Sequence, residues 1–253
     1  LHFLAEKAQS AQIVVKQAED EISVISMALG ASFAGARSMV ATSGGGFCLM
    51  VETLGLAGFV ELPIVIIEGQ RPGPALGLPT WTDQGDLKFV LAASHGEFPR
   101  FVLSPSDAKE AFDLSRKAQI LAETYQTPVI ILTDKYLCES RFSLNLETET
   151  YTNSRFGLEK NPSPDKTGFF PRYKITDTPG GLRTLPGTPG GTYIANADEH
   201  DQYGLTSEEA QDRSGQIDKR NKKLEPMSLE IPNQYFEEDE NHTVTFISFG
   251  STK

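Results

Sequence analysis

One cation stands alone in "EGQRPGPALGLPT", residues Glu68 to Thr80: Arg71, among three prolines and three glycines. Prolines fix φ and carry no N–H, and glycines leave space, so the segment is stiff and poor in competing donors. A guanidinium held there presents a bidentate fork, which suits a planar carboxylate or a phosphate. The alternative is a surface salt bridge. A second candidate is "QAEDEIS", where Glu19, Asp20 and Glu21 put three consecutive carboxylates at a strand-to-helix junction. On pattern alone they complement the positive end of a helix, each contributing ~0.3–1 kcal/mol. A third is "TSGGGF", Thr42 to Phe47, with Gly44, Gly45 and Gly46 between a strand and a helix. Glycines let the backbone approach a ligand, and a helix N-terminus offers free N–H groups. No GK[ST] follows, and the G-x-G-x-x-G pattern with its distant acid is not met. Phosphate binding and a tight turn against a cofactor ring or a partner chain both stay open. His95, in "ASHGEFPR", is either a general base or a loop histidine. No Ser-His-Asp, zinc-ligand or glycosidase-type carboxylate spacing can be assigned.

These residues need elements to position them, and the chain between Gln12 and Leu137 supplies an alternation. "QIVVKQ" (Gln12 to Gln17), "SMVATS", "LPIVIIEG", "FPRFVLSPS" and "TPVIILTDKYL" read as strands. Between them, "EDEISVISMALGASFAGA" has Ile22, Ile25, Met27, Leu29 and Phe33 at helical spacing. "FCLMVETLGLAGF" is a mostly apolar helix, and "TDQGDLKFVLAAS" is helix-compatible. "DAKEAFDLSRKAQILAETYQ" is amphipathic, with Ser106 as its expected cap. Strand–helix alternation with continuous apolar strands predicts an α/β fold: a doubly wound parallel sheet, helices on both faces. Ligands in such sheets lie beyond the carboxyl ends of the strands, where the unusual segments fall. From about Ser143 the pattern is lost to Pro, Gly and polar residues. Phe169, Phe170, Tyr173, Tyr193 and Tyr203 argue for an ordered, loop-built arm rather than a linker. In the arm, "EEAQDRSGQIDKRNKKLE" reads as a charged helix with a solvated face.

Composition narrows the function classes. The chain has 253 residues, a net charge of −11 and 39% hydrophobic residues, enough for a real core. Its cations are scattered, which argues against a nucleic-acid surface. No apolar run approaches the ~20 residues of a membrane helix, and no signal peptide opens the chain, so a cytoplasmic location is expected. Cys48 and Cys138 have no C-x-x-C partner and form no iron–sulfur ligand set within this chain. Cys48, in an apolar stretch, reads as a core thiol.

Taken together, "QAEDEISVISMALGASFAGARSMVATSGGGFCLM", "LPIVIIEGQRPGPALGLPTWTDQGDL", "SHGEFPRFVLSPS" and "ETYQTPVIILTDKYL" resemble the α subunit of 2-oxoacid:ferredoxin oxidoreductases, in its thiamine-diphosphate pyrimidine-binding domain. "LPGTPGGTYIANADEHDQYG" resembles the arm that follows there, and "FISFGSTK" the first strand of a transketolase C-terminal-like domain. The resemblance implies three parts: a pyrimidine-binding domain at 1–142, the arm at 143–240, and the start of the next domain at 241–253. It implies oxidative decarboxylation of a 2-oxoacid (2-oxoglutarate, pyruvate or a branched-chain acid) to acyl-CoA and CO2, with electrons passed through iron–sulfur centres to ferredoxin. In thiamine enzymes a glutamate hydrogen-bonds N1′ of the aminopyrimidine and favours its imino form, so the protein tunes the cofactor's own acid–base chemistry. In related domains that glutamate opens a helix and a glycine follows nine positions later; Glu21 and Gly30 meet this spacing, with Glu19 as second choice. Arg71 matches the arginine that holds the substrate carboxylate. Thr80 and Gln84 would line the same pocket, and Thr42, Ser43 and Gly44 to Gly46 would border the pyrimidine.

The resemblance also sets expectations about what lies elsewhere. The family's "YPITP" segment, with a substrate-contacting threonine, would fall just before Leu1, and the γ-like domain of some members is absent. No G-D-G…N motif occurs, so Mg2+, the diphosphate site and a [4Fe-4S] cluster are expected on a β subunit, and this chain alone should be inactive. The ends read as those of a fragment. The competing readings are another thiamine enzyme, such as an indolepyruvate oxidoreductase, or a non-catalytic α/β module that binds a partner chain.

Overall fold

The apolar runs fold as one parallel sheet in the computed structural model, which describes residues 2–145, 155–231 and 243–253. β1 (Met39–Thr42), β2 (Ile64–Gln70), β3 (Phe101–Leu103) and β4 (Pro128–Asp134) pair in the order β1-β2-β4-β3, all parallel. β2 and β4 are central, so helices cover both of their faces, and all seven residues of β4 are buried. That is why these strands read as unbroken apolar runs rather than alternating ones.

The helices are α1 (His2–Ala11), α2 (Glu21–Phe33), α3 (Gly44–Phe59), α4 (Leu87–Ala92), α5 (Ala108–Tyr125) and α6 (Lys135–Glu139). Ile25 and Leu29 of α2 with Phe47, Met50 and Leu54 of α3 pack on Ile64, Ile66, Ile130 and Leu132. On the other face, Ala118, Leu121, Ala122 and Tyr125 of α5 pack on Val65, Val129 and Ile131. Alternate residues of the same strand serve opposite layers, which makes the sheet doubly wound.

Several expectations change. Residues 12–17 form no strand: Val14 is 93% exposed, and the segment has no sheet neighbour to complete a ladder. Met27 and Ile22 of α2 face outward, and Cys48 is exposed rather than a core thiol. The cap of α5 is Asp107, whose Oδ1 accepts the Glu110 N–H at 2.8 Å. Ser106 sits one residue earlier, and its N–H and Oγ both donate to Oε2 of Glu110. Residues 243–248 run as exposed chain rather than a strand, and half-buried Phe249 leads into a short turn at Gly250–Thr252. Parts of the arm and the residues just before 243 lie outside the described residues.

The arm folds back on the domain. Among the described residues it carries α7 (Ala210–Asn221) and α8 (Leu224–Leu229) and is otherwise loops. Two buried carboxylates anchor it. Glu61, just past α3, meets Lys219 at 2.5 Å and Lys223 at 2.7 Å. Glu123 of α5 meets Arg183 and Arg155 at 2.6 Å and Arg37 at 2.9 Å. Burial alone would raise both carboxyls, but the facing cations outweigh it and hold both below the usual carboxylate range. The face of α7 bearing Gln216, Lys219 and Arg220 is therefore buried, not solvated. Tyr193 packs edge-on to Phe33 at 5.8 Å, and His200 to Phe59 at 5.2 Å, which uses the arm's aromatic content.

Candidate active site

The carboxyl ends of the strands bring most of the sequence candidates together. Asp20 caps α2, its Oδ1 accepting the Ser23 N–H at 2.8 Å. The capping role of the acidic trio therefore falls to Asp20, leaving Glu21 free to face the first turn of α3. Glu19 is exposed, and its hydrogen bond with Asp20 raises its carboxyl above the usual value. The approach of Glu21 to α3 is close: a methyl carbon built on Gly46 would stand 2.7 Å from Oε1 of Glu21 and 2.1 Å from Oγ1 of Thr42. Only a glycine lets the carboxylate lie against this turn. Ser43 occupies the N-cap position of α3 with extended backbone and makes no side-chain cap bond, so its hydroxyl does not occupy the first amides of the helix.

Arg71 follows the last residue of β2 and is half-buried. Among the described residues it makes no ion pair or hydrogen bond, which removes support for the salt-bridge alternative. Its loop is closed by Leu78 N–H donating to the Pro72 carbonyl at 3.1 Å. Gly77 has φ +49, and a Cβ there would strike that same carbonyl, so this tight turn requires glycine. The loop crosses toward the glycine turn, with the Ala75 carbonyl 3.8 Å from the Cβ position of Gly45. Thr80 lies on this loop, exposed.

Gln84 makes a structural contact as well. Its Nε2 donates to Asp134 Oδ2 at 3.2 Å and to the Phe249 carbonyl at 3.0 Å, and its Oε1 accepts from Thr252 at 3.0 Å. Both ends of the carboxamide are occupied in fastening the 249–252 turn to the end of β4. His95 is not brought to this site either. It lines a cavity of about 470 Å³ between the C-terminal half of α3, the 94–98 bend and α7. Among the described residues no three His, Cys, Asp or Glu side chains converge to hold a metal ion.

The sequence reading missed Glu68 and Asp86. Glu68 is completely buried near the end of β2, and neither of its oxygens finds a hydrogen-bond partner. Burial first, and then the facing Asp86, push its carboxyl up to about 8. Asp86 is also raised, chiefly by burial, and its Oδ2 is 2.9 Å from where a Cβ on Gly44 would be. The available signal was the acid that ends the apolar run "IVIIEG", but one acid at a strand end points to no partner.

The chain is similar to known proteins along most of its length. Residues 1–219 match the family model described as pyruvate flavodoxin/ferredoxin oxidoreductase, thiamine diphosphate-binding. The chain is 43% identical over 248 residues to a 2-oxoacid:ferredoxin oxidoreductase subunit alpha of Saccharolobus solfataricus, covering 95% of this chain and 38% of that protein. It is 40% identical over 171 residues to the 2-oxoglutarate synthase subunit KorA of Archaeoglobus fulgidus, covering 66% of this chain and 49% of the relative. The 2-oxoglutarate:ferredoxin oxidoreductase from Magnetococcus marinus, solved with 2-oxoglutarate, coenzyme A and succinyl-CoA bound, superposes with a TM-score of 0.82 at 34% identity, over 93% of this chain and 41% of that one. The chain thus spans well under half the length of two of these three proteins and 49% of KorA. With a match that runs across the sheet, the glycine turn and most of the arm, the chain belongs to the thiamine-diphosphate-binding family of pyruvate flavodoxin/ferredoxin oxidoreductases.

Proposed function

We propose that this chain is the pyrimidine-binding part of the α subunit of a 2-oxoacid:ferredoxin oxidoreductase. The reaction converts a 2-oxoacid, coenzyme A and two oxidised ferredoxins to acyl-CoA, CO2, a proton and two reduced ferredoxins. The observation that carries this reading is the carboxylate of Glu21 held against Gly46, with Arg71, which makes no ion pair or hydrogen bond among the described residues, on the loop whose Ala75 carbonyl approaches Gly45 of the same turn.

The residues present fit thiamine diphosphate. A carboxylate free of capping duty, a turn that only glycine permits, and helix amides without a side-chain cap make a cradle for a flat, polar ring. Glu21 would hydrogen-bond the aminopyrimidine ring nitrogen, and Thr42, Ser43 and Gly44 to Gly46 would border the ring. When bound, the cofactor supplies the nucleophilic carbon and the electron sink that the 2-oxoacid requires. Arg71 would hold the substrate carboxylate through two parallel N–H bonds, and Thr80 would lie along the same mouth. Substrate orientation by Arg71 and proton placement by Glu21 are then separate duties on separate elements.

Mg2+, the diphosphate and the iron–sulfur cluster belong on a β partner in this reading, and ferredoxin is the acceptor. Exposed Ile22, Leu49, Leu76, Leu78 and Trp81 around the site suit a covering partner chain. No helix among the described residues is long and apolar enough to cross a membrane, which is compatible with a cytoplasmic complex.

The test is co-expression of the full-length subunit with the product of the neighbouring gene. Viologen reduction is then followed with thiamine diphosphate, coenzyme A and a panel of 2-oxoacids, starting with 2-oxoglutarate. Reduction with one acid is expected, with Glu21→Gln lowering kcat by about 10²–10⁴-fold and Arg71→Ala acting mainly on KM. No stable complex, no bound thiamine and no reduction with any acid would leave a non-catalytic module.

A further inference from the structure

Glu68 and Asp86 form a contact that the proposed function does not use. They lie at the two ends of the loop that carries Arg71 and Thr80. The chain leaves β2 at Gln70 and returns at Asp86, whose N–H donates to Gln70 Oε1 at 3.1 Å. Nε2 of the same Gln70 donates to the Thr133 carbonyl at 3.3 Å, which fixes it to β4. Glu68 is two residues before Gln70 on β2, so both side chains point to the same face. Asp86 precedes α4, yet its side chain makes no cap bond there; it faces Glu68 and lies over Gly44 instead. The pair therefore joins the start of the loop, the end of the loop and the glycine turn.

Glu68 is fully buried and Asp86 half-buried with its Oδ2 shut off from solvent, and burial and the facing like charge both disfavour ionising the two together. One shared proton removes the repulsion and supplies a donor for an otherwise unpartnered buried oxygen.

We propose that Glu68 and Asp86 are a proton-sharing positioning pair that holds the Arg71 loop closed over the glycine turn. Among the described residues, Asp83 on the loop and the Cys138 thiol on α6 are the other titratable groups that interact with the pair; Asp83 raises Asp86, and Glu68 raises Cys138. Neither supplies a counter-charge, so the proton is the pair's means of closure. Because Glu68 is raised to about 8, the proton is held below that pH and lost as pH rises through it. Loss leaves two like charges between β2 and the loop's return, and the loop loosens.

The test uses the full-length subunit in complex with its partner, and its kinetic arm rests on the proposed function. The wild-type KM for the 2-oxoacid should rise about tenfold between about pH 7 and about pH 9.5 while kcat stays within about twofold. Glu68→Gln keeps a neutral donor facing Asp86 at every pH, so the alkaline rise in KM should vanish. A second readout is independent of turnover. Trp81 is the single tryptophan of this chain, exposed on the loop, and its emission is isolated by subtracting the spectrum of a Trp81→Phe complex. That emission should change through pH 8 in wild type and not in Glu68→Gln. Identical titrations in the two proteins, or no change in either, would overturn the proposal. If the complex reduces dye with no 2-oxoacid, the functional reading fails, and the Trp81 titration still decides the pair.

Discussion

Gly46 is the residue where one added carbon should matter most. A methyl group there would have to displace Thr42 Oγ1 and the Glu21 carboxylate together. Glu21 sits on the first turn of α2 and can swing away, so the fold should survive; the cost is an overpacking strain of about 1–3 kcal/mol. The carboxylate would then no longer face the turn. Gly46→Ala is expected to lose thiamine binding by at least about tenfold, read by cofactor titration of the assembled complex, with a lowered but still cooperative melt. Unchanged thiamine affinity would mean that Glu21 does not act at this turn. How much of this site could be read from sequence depends on the residue. Arg71 stood out because the prolines and glycines around it isolate it. The choice between Glu19 and Glu21 needed the cap: only the structure gives that duty to Asp20. The partners of Gln84 were not legible because position along a loop does not say where a carboxamide turns, and here a segment 165 residues away takes it up. Glu68 was hidden because its partner Asp86 lies across a loop whose path the sequence does not reveal.

At the scale of elements, helix and strand identity was legible wherever burial is two-sided or strongly one-sided. The central strands are unbroken apolar runs, and α5 carries a stripe on one face. Residues 12–17 have β-branched content but no neighbour to pair with, and pairing is decided in three dimensions. Helix ends follow the same distinction. Ser106 and Asp107 are both good caps by type, and only the backbone decides which is used. Asp107 is extended (φ −146, ψ 178) and its Oδ1 reaches the Glu110 N–H, while Ser106 lies one residue outside. Asp107→Ala should therefore cost about 1 kcal/mol in urea unfolding of the complex-forming subunit. Ser106→Ala removes only one of the two donors to Oε2 of Glu110 and should cost less than half as much. The reverse order would return the cap to Ser106.

The arrangement of the whole molecule rests on charges that the sequence shows only as scattered. Nothing in the spacing of Glu61, Arg172, Lys219 and Lys223 suggests contact, yet a turn past α3 buries all four together. Glu61 is completely buried, with Arg172 donating to its carbonyl at 2.8 Å and both lysines on its carboxylate. Replacing such a group by well-packed apolar residues can be neutral, but removing one partner leaves buried charge uncompensated. Among the described residues Glu61 is the single anion facing these cations in this cluster, so Glu61→Gln leaves the charges of Arg172, Lys219 and Lys223 uncompensated at once. A loss of about 3–5 kcal/mol is expected. The loss should fall on the joint between arm and domain, because the strands and α5 keep their own apolar layers. Limited proteolysis should then cut within residues 155–231 of the variant while the sheet domain persists. The Glu123 anchor gives the control. Its cations are Arg37 from α2's exit and Arg155 and Arg183 from the arm, and Arg37 and Arg155 are about a third exposed, so water can solvate these two when the carboxylate is removed. Glu123→Gln should destabilise the joint less than Glu61→Gln does. Equal sensitivity of the two variants would mean that the arm is held by its aromatic contacts with Phe33 and Phe59 rather than by the buried anion.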